Sequence, residues 1–261
     1  MLNRMHNEPF LLNHPVAFAF LCFVVFWIAA QWGASIRQRR PLLEEEREDF
    51  GLVETATLTL LGLIIGFSFS MATTRYDLRK NYEESEANAI GTEYVRAGLL
   101  PPGDAATIRA QLRQYTELRI AFYRTRHRDE LRQIDADTTA LQGKMWSAVE
   151  APGLAQPTPI SALAVAGMND VLNSQGYTQA AWWNRIPSSG WALVIVIAAA
   201  GNFLVGYGSR IVKTKGFLLV VLPIMVSISL LLIADIDSPR GGLIHVVPQN
   251  LTSLLQSLPN K

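Results

Sequence analysis

Four runs of apolar residues divide the chain. They are PVAFAFLCFVVFWIAAQWGA (15–34), VETATLTLLGLIIGFSFSMA (53–72), WALVIVIAAAGNFLVGYGS (191–209) and GFLLVVLPIMVSISLLLIA (216–234). Each approaches the roughly 20 residues that a helix needs, at about 1.5 Å per residue, to cross a hydrocarbon core of about 30 Å. The first, third and fourth carry no charge, and the second only Glu54 at its edge. Trp27, Trp32, Trp191 and Tyr207 fall near the run ends, where amphipathic rings favour the interface. Buried core helices of a soluble protein are the competing reading, but four such runs in one short chain favour a membrane. A cleavable leader is the competing reading of the first run alone. Its apolar core exceeds the usual length of about 7 to 15 residues, and its positive charge (RQRR, 37–40) follows it, as in an anchor.

Between spans two and three, the periodicity changes to that of amphipathic helices. Span two is predicted to continue as a helix to about Leu100, where PPG (101–103) stops it. Asp104 is expected to cap a helix carrying Ile108, Leu112, Tyr115, Leu118 and Phe122 on one stripe. Leu131, Ile134, Leu141, Met145 and Val149 repeat the pattern, with YRTRHRDE (123–130) between as a solvated mixed-charge stretch. APGLAQPTP (151–159) reads as a loop, and Ile160 to about Trp182 as another helix through Leu163, Ala164, Met168, Val171 and Leu172. After Asp237 come turn signals (SPRGG) and a short β-like LIHVV. The expected fold is all-α: a tail (1–14), spans at 15–34, 53–72, 191–209 and 216–234, loops at 35–52 and 210–215, a helical extramembrane domain at 73–190, and a tail from 235 to 261.

Composition agrees with this division. Of 261 residues, 49% are hydrophobic and 17% charged, with net charge +1, too apolar for an ordinary soluble domain. The lone Cys22 lies inside span one, so no intrachain disulfide is possible. Soluble-enzyme signatures are missing: no phosphate-cradling glycine loop, no G-x-S-x-G serine, and four histidines without ligand spacing. The reading is therefore no enzyme, no metal, no cofactor and no nucleic-acid partner.

Lys and Arg near the spans divide almost evenly between the two sides. The short loops hold Arg37, Arg39, Arg40, Arg47, Arg210, Lys213 and Lys215; the opposite side holds Arg4, Arg75, Arg79, Lys80, Arg185 and Arg240. The cluster after span one leans toward short loops inside the cell.

Polar and small residues inside the spans are the candidate functional positions. Gly62, Gly66 and Ser70, extended by Thr55 and Thr59, form a small-residue ladder suited to close helix packing. That face, or the neighbouring ladder Leu63, Phe67 and Met71, could instead line an ion path, since apolar constrictions gate by dewetting. Asn202 is expected to hydrogen-bond a neighbouring helix and Pro223 to kink span four. Asp235 and Asp237 suit pairing with Arg75 or Arg240 better than a cation site, two carboxylates being a thin set for Ca²⁺. Arg75, Asp77, Arg79, Asp235 and Asp237 make up an expected interfacial charge cluster. Arg79 and Glu83, and Lys80 and Glu84, are spaced as weakly stabilising i, i+4 helix pairs in the poorer, base-before-acid order, and ANAIGT (87–92) as a tight contact with another helix of this or a neighbouring copy.

The stretch GFSFSMATTRYDLRKNYEESEANAIGTEYVRAGLLP (66–101) resembles the signature of a bacterial integral-membrane family labelled bestrophin-like. LRQYTELRIAFYR (112–124), NRIP (184–187) and IADIDSPRGGLIHV (233–246) fit the same family. The resemblance implies a four-span subunit of a pentameric anion channel, with span two lining an apolar neck and continuing into the cytosol. It would place Leu63, Phe67 and Met71 at the neck and DIDSPRGG in an ion-binding region. The phenylalanine ladder of true bestrophins is only partly present, and the acidic calcium cluster is reduced to Asp235 and Asp237. A cytosolic long loop is implied too, opposite to the charge count. The expected function is a homo-oligomeric anion channel, conducting chloride or another anion, in the lipid bilayer of the cell inner (plasma) membrane; the alternative is a non-conducting scaffold or sensor whose 73–190 domain binds a partner.

Overall fold

The computed structural model describes residues 13–209 and 217–259, so the tail before Asn13, the 210–215 loop with Arg210, Lys213 and Lys215, and the last two residues lie outside the described residues. Among the described residues eight α-helices follow one another: α1 Pro15–Arg39, α2 Glu46–Arg96, α3 Pro102–Arg124, α4 Arg128–Ala155, α5 Pro159–Trp183, α6 Ser188–Gly208, α7 Leu218–Asp237 and α8 Gln249–Ser257. There is no strand among the described residues, so LIHVV is irregular chain rather than β. The fold is all-α, and among the described residues four stretches are long and apolar enough to cross a membrane.

The chain divides into two compact units, residues 1–75 with 185–245, and residues 76–184 with 246–261. In the first, α1 packs on α6 and α7. Helices of similar apolarity gain nothing in lipid from hydrophobicity, so close backbone approach decides this packing. A Cβ on Gly33 would strike the Phe203 carbonyl oxygen, and one on Gly206 the Ala30 carbonyl oxygen, so α1 and α6 meet through two glycines. Edge-to-face rings flank the seam, Phe18 with Trp191 at 5.1 Å and Trp32 with Phe203 at 5.4 Å between centroids. Asn202 is buried there, but its amide donates to the Ala198 carbonyl of its own helix at 2.8 Å, not to a neighbouring helix as expected.

In the second unit, α3, α4 and α5 with the end of α2 enclose a core of Ile90, Ile108, Leu112, Tyr115, Met145 and Met168. The stripes on α3 and α4 are those expected from the sequence. Three boundaries differ. Pro101 rather than Asp104 occupies the cap of α3, leaving Asp104 in its first turn, where a carboxylate suits the positive helix end. Pro152 sits inside α4, which runs on to Ala155. The break before α5 is therefore only 156–158, and Thr158 and Ser161 close it with a reciprocal capping box, each hydroxyl accepting the other's backbone N–H, at 3.1 and 3.0 Å. Leu163 points outward, 49% exposed, so the buried face of α5 runs instead through Ala164, Gly167, Met168, Val171, Ser174, Thr178 and Trp182.

Candidate functional site

In the first unit, α2 stands apart from the other spans. Only 6% of its apolar window is buried, against 33% for α1 and 50% for α7. Among the described residues its contact in this unit is a seam at Leu61, Ser68 and Ala72, with Leu58, Leu61 and Thr57 meeting α6 at Gly201, and Phe50 and Glu54 meeting it again at Gly208. At 3.6 residues per turn, Gly66 lies roughly 140° from that seam one way and Phe67 roughly 120° the other. Gly62, Gly66 and Ser70 are exposed, and no atom lies within 4 Å of where a Cβ would stand on either glycine. Leu63, Phe67 and Met71 are 53%, 63% and 44% exposed. Both ladders are thus left uncovered by the described residues.

At the exit of α7, the two aspartates take separate tasks. Asp237, 1% exposed, accepts the backbone N–H of Ile186 at 3.2 and 3.1 Å, with Arg75 Nη1 at 3.5 Å and Arg185 Nε at 3.8 Å. Arg185 in turn donates to Asn13 Oδ1 at 2.8 Å. Asp235 accepts the backbone N–H groups of Leu243 and Ile244 at 2.7 and 2.8 Å, folding the SPRGG turn back over itself. Gly242 permits this, because a Cβ would meet the Asp235 carbonyl oxygen at 2.6 Å. Of the expected charge cluster, Arg75 and Asp237 come together, Asp77 is exposed, and Arg79 is buried in the second unit. Arg185, counted only for its charge, is the partner that sequence reasoning missed; its place in NRIP was the signal.

These carboxylates do not fit a calcium ion, which takes about six to eight oxygens and no cation among its neighbours. Asp235 spends both oxygens on N–H groups and Asp237 faces two guanidinium groups. No cluster of three potential ligands exists among the described residues.

In the second unit, the charged part of α2 turns out to be an inner face. Arg79, Glu83, Glu86, Ile90, Glu93 and Ala97 are all buried. Glu83 is buried, and it accepts from the Leu251 backbone N–H at 2.9 Å and the Asn250 amide at 2.6 Å, an anion set on the first turn of α8. Glu86 accepts from Arg119 Nε at 2.5 Å, Thr178 Oγ1 at 3.2 Å and the Tyr123 hydroxyl at 3.4 Å. Arg119, fully buried, also lies 4.4 Å from the Phe122 ring centre. Burial alone opposes the charge on Arg119, but the Glu86 carboxylate outweighs it and holds the guanidinium more firmly protonated. The Tyr115 and Tyr123 hydroxyls are pushed up by burial and by the same carboxylate. The small-residue patch ANAIGT receives α8 of the same chain, Leu254 lying 3.1 Å from where a Gly91 Cβ would stand.

Two comparisons match this fold. The bestrophin-like domain profile matches residues 16–251. Crystal structures of a bacterial bestrophin homolog from Klebsiella pneumoniae superpose with TM-scores of 0.65 (its I180A variant; 12% identity, 93% of this chain and 96% of that one) and 0.62 (14% identity, 94% and 100%). No curated protein is detectably similar in sequence. At such identity the structures speak for the fold, while the profile spans most of the chain: this multi-pass membrane protein belongs to the bestrophin-like family.

Proposed function

We propose that the chain is one subunit of a homo-oligomeric anion channel of the cell inner membrane, a pentamer on the bestrophin pattern, with α2 lining the pore. The supporting observation is the bareness of α2. A helix that lines a ring-shaped pore touches its own subunit along one seam, meets neighbouring copies on its flanks and faces the axis with what remains. The two ladders, roughly 140° and 120° either side of the Leu61, Ser68, Ala72 seam, supply those surfaces. Gly62, Gly66 and Ser70 suit close approach of a neighbouring copy; Leu63, Phe67 and Met71 suit an apolar neck that controls wetting.

Chloride efflux from proteoliposomes, combined with the mass of the purified oligomer, tests this. The expected result is a pentamer that passes chloride. A dimer, or a pentamer silent to anions across voltage and Ca²⁺, overturns it and leaves the scaffold or sensor reading.

A further inference from the structure

Glu93 lies in the second unit on the inner face of α2, and it is unlike the two acids above it. Its side chain is fully buried, as those of Glu83 and Glu86 nearly or wholly are. Whereas those two are satisfied by donors, neither carboxylate oxygen of Glu93 has a hydrogen-bond partner. It lies directly against α5 at Gly167, where a Cβ would fall on its Oε2 and within 2.6 Å of Arg96 Nη1. The charged groups acting on it are Arg96, from its own helix, and Asp170, from α5. Arg96 leans toward Asp170, at 4.0 Å, instead of closing on Glu93. Arg109, from α3, is engaged by the Tyr94 carbonyl at 3.1 Å and the Tyr94 ring at 5.2 Å.

An ionised carboxylate buried without donors is costly, and such a group either takes up a proton or draws in water or a cation. We propose that Glu93 is a proton-binding site: its neutral carboxyl closes the α2–α5 contact at Gly167, and loss of the proton opens that contact. Gly167 is the complementary half of the site, since any larger residue would displace the carboxyl from it. The electrostatics agree in direction: burial pushes the Glu93 carboxyl up to about 8, Arg96 opposing the rise and Asp170 adding to it. The folded unit thus holds one proton more than the unfolded chain between the ordinary glutamate range and about pH 8, so its stability falls as pH rises through that window.

The test uses the full-length protein in detergent, with infrared difference spectra and amide hydrogen exchange recorded between about pH 6 and about pH 9.5, a range bracketing the shifted carboxyl. The expected result is a protonated-carboxyl band that disappears with a midpoint near 8 and is absent from Glu93→Gln, together with faster exchange at residues 164–171 in the wild type at high pH alone. Should Glu93→Gln not fold, Asp170→Asn serves in its place: removing the neighbouring anion should move the midpoint downward. A carboxylate already ionised at the low end, exchange at α5 that ignores pH, or a midpoint unmoved by Asp170→Asn each overturns the proposal.

Discussion

Asp237 holds the backbone N–H of Ile186 with its carboxylate, at 3.2 and 3.1 Å, and so joins the end of α7 to the residues that lead into α6. The same carboxylate neutralises Arg75 and Arg185, which are 17% and 10% exposed. Removing it leaves two poorly solvated cations and an orphaned N–H. Breaking such a pair from one side costs about 3 to 5 kcal/mol when it is buried. Asp237→Ala should therefore lower the unfolding midpoint of the detergent-solubilised protein strongly, whereas Asp77→Ala, at an exposed position, should leave it nearly unchanged. Equal effects would show that Asp237 is not the anchor of this turn.

Calcium gives a second prediction about the same region. Were Asp235 and Asp237 a cation site, saturating Ca²⁺ at a hundred times its Kd would stabilise the fold by about 2.7 kcal/mol. With their oxygens committed to N–H groups and guanidinium groups, thermal unfolding should be the same in Ca²⁺ and in chelator. A rise of several degrees with Ca²⁺ would contradict this arrangement.

Glu86 and Arg119 make the corresponding pair in the second unit, both fully buried. Glu86→Gln should cost about 3 to 5 kcal/mol, since Arg119 would stay charged without its counterion. Replacing both together, Glu86→Leu with Arg119→Met, should recover much of that loss, because the desolvation penalty disappears with the charges. Urea unfolding of the single and double variants measures the coupling; additive losses would mean that the two residues act independently.

That pair also shows where reading the sequence stops. The spans were legible because lipid demands about 20 apolar residues in a row, a pattern that few other environments impose. The stripes on α3 and α4 were legible for the same reason at a period of 3.6. The burial of the charged end of α2 was not legible, because its charges fall into i, i+4 helix pairs that an exposed helix carries as well. Yet Arg79, Glu83, Glu86, Ile90, Glu93 and Ala97 recur every three or four residues, and Arg119 falls in the stripe of Leu112, Tyr115 and Phe122. The periodicity of a buried face was present; polarity concealed it. What no local pattern shows is the partner: nothing near Glu83 in sequence announces Leu251, nor does Asp237 announce Ile186.

Gly33 and Gly206 set the spacing of α1 and α6, so their substitution should act through packing alone. Gly206→Ala places a methyl on the Ala30 carbonyl oxygen, and the helices must part. Overpacking of this kind costs about 1 to 3 kcal/mol. Gly62→Ala is the control, as none of the described residues comes within 4 Å of a Cβ at that position. The thermal midpoint of the dissociated subunit in detergent should fall for Gly206→Ala and hold for Gly62→Ala; the reverse order would move the close contact to α2.

The two ladders of α2 separate assembly from conduction. Gly66→Leu puts a branched side chain on the surface assigned to a neighbouring copy, so it should lower the oligomeric mass while leaving the helical content of the subunit intact. Phe67→Ala removes a ring from the surface assigned to the neck and touches no part of the chain's own seam, so the oligomer should persist while chloride current or its gating changes, a wider and wetter neck conducting more readily. Mass photometry and planar-bilayer recording of both variants check the pair. If Gly66→Leu changes the current with the assembly intact, and Phe67→Ala breaks the assembly, the ladders are exchanged: the glycine face lies on the ion path and the apolar face holds the copies together.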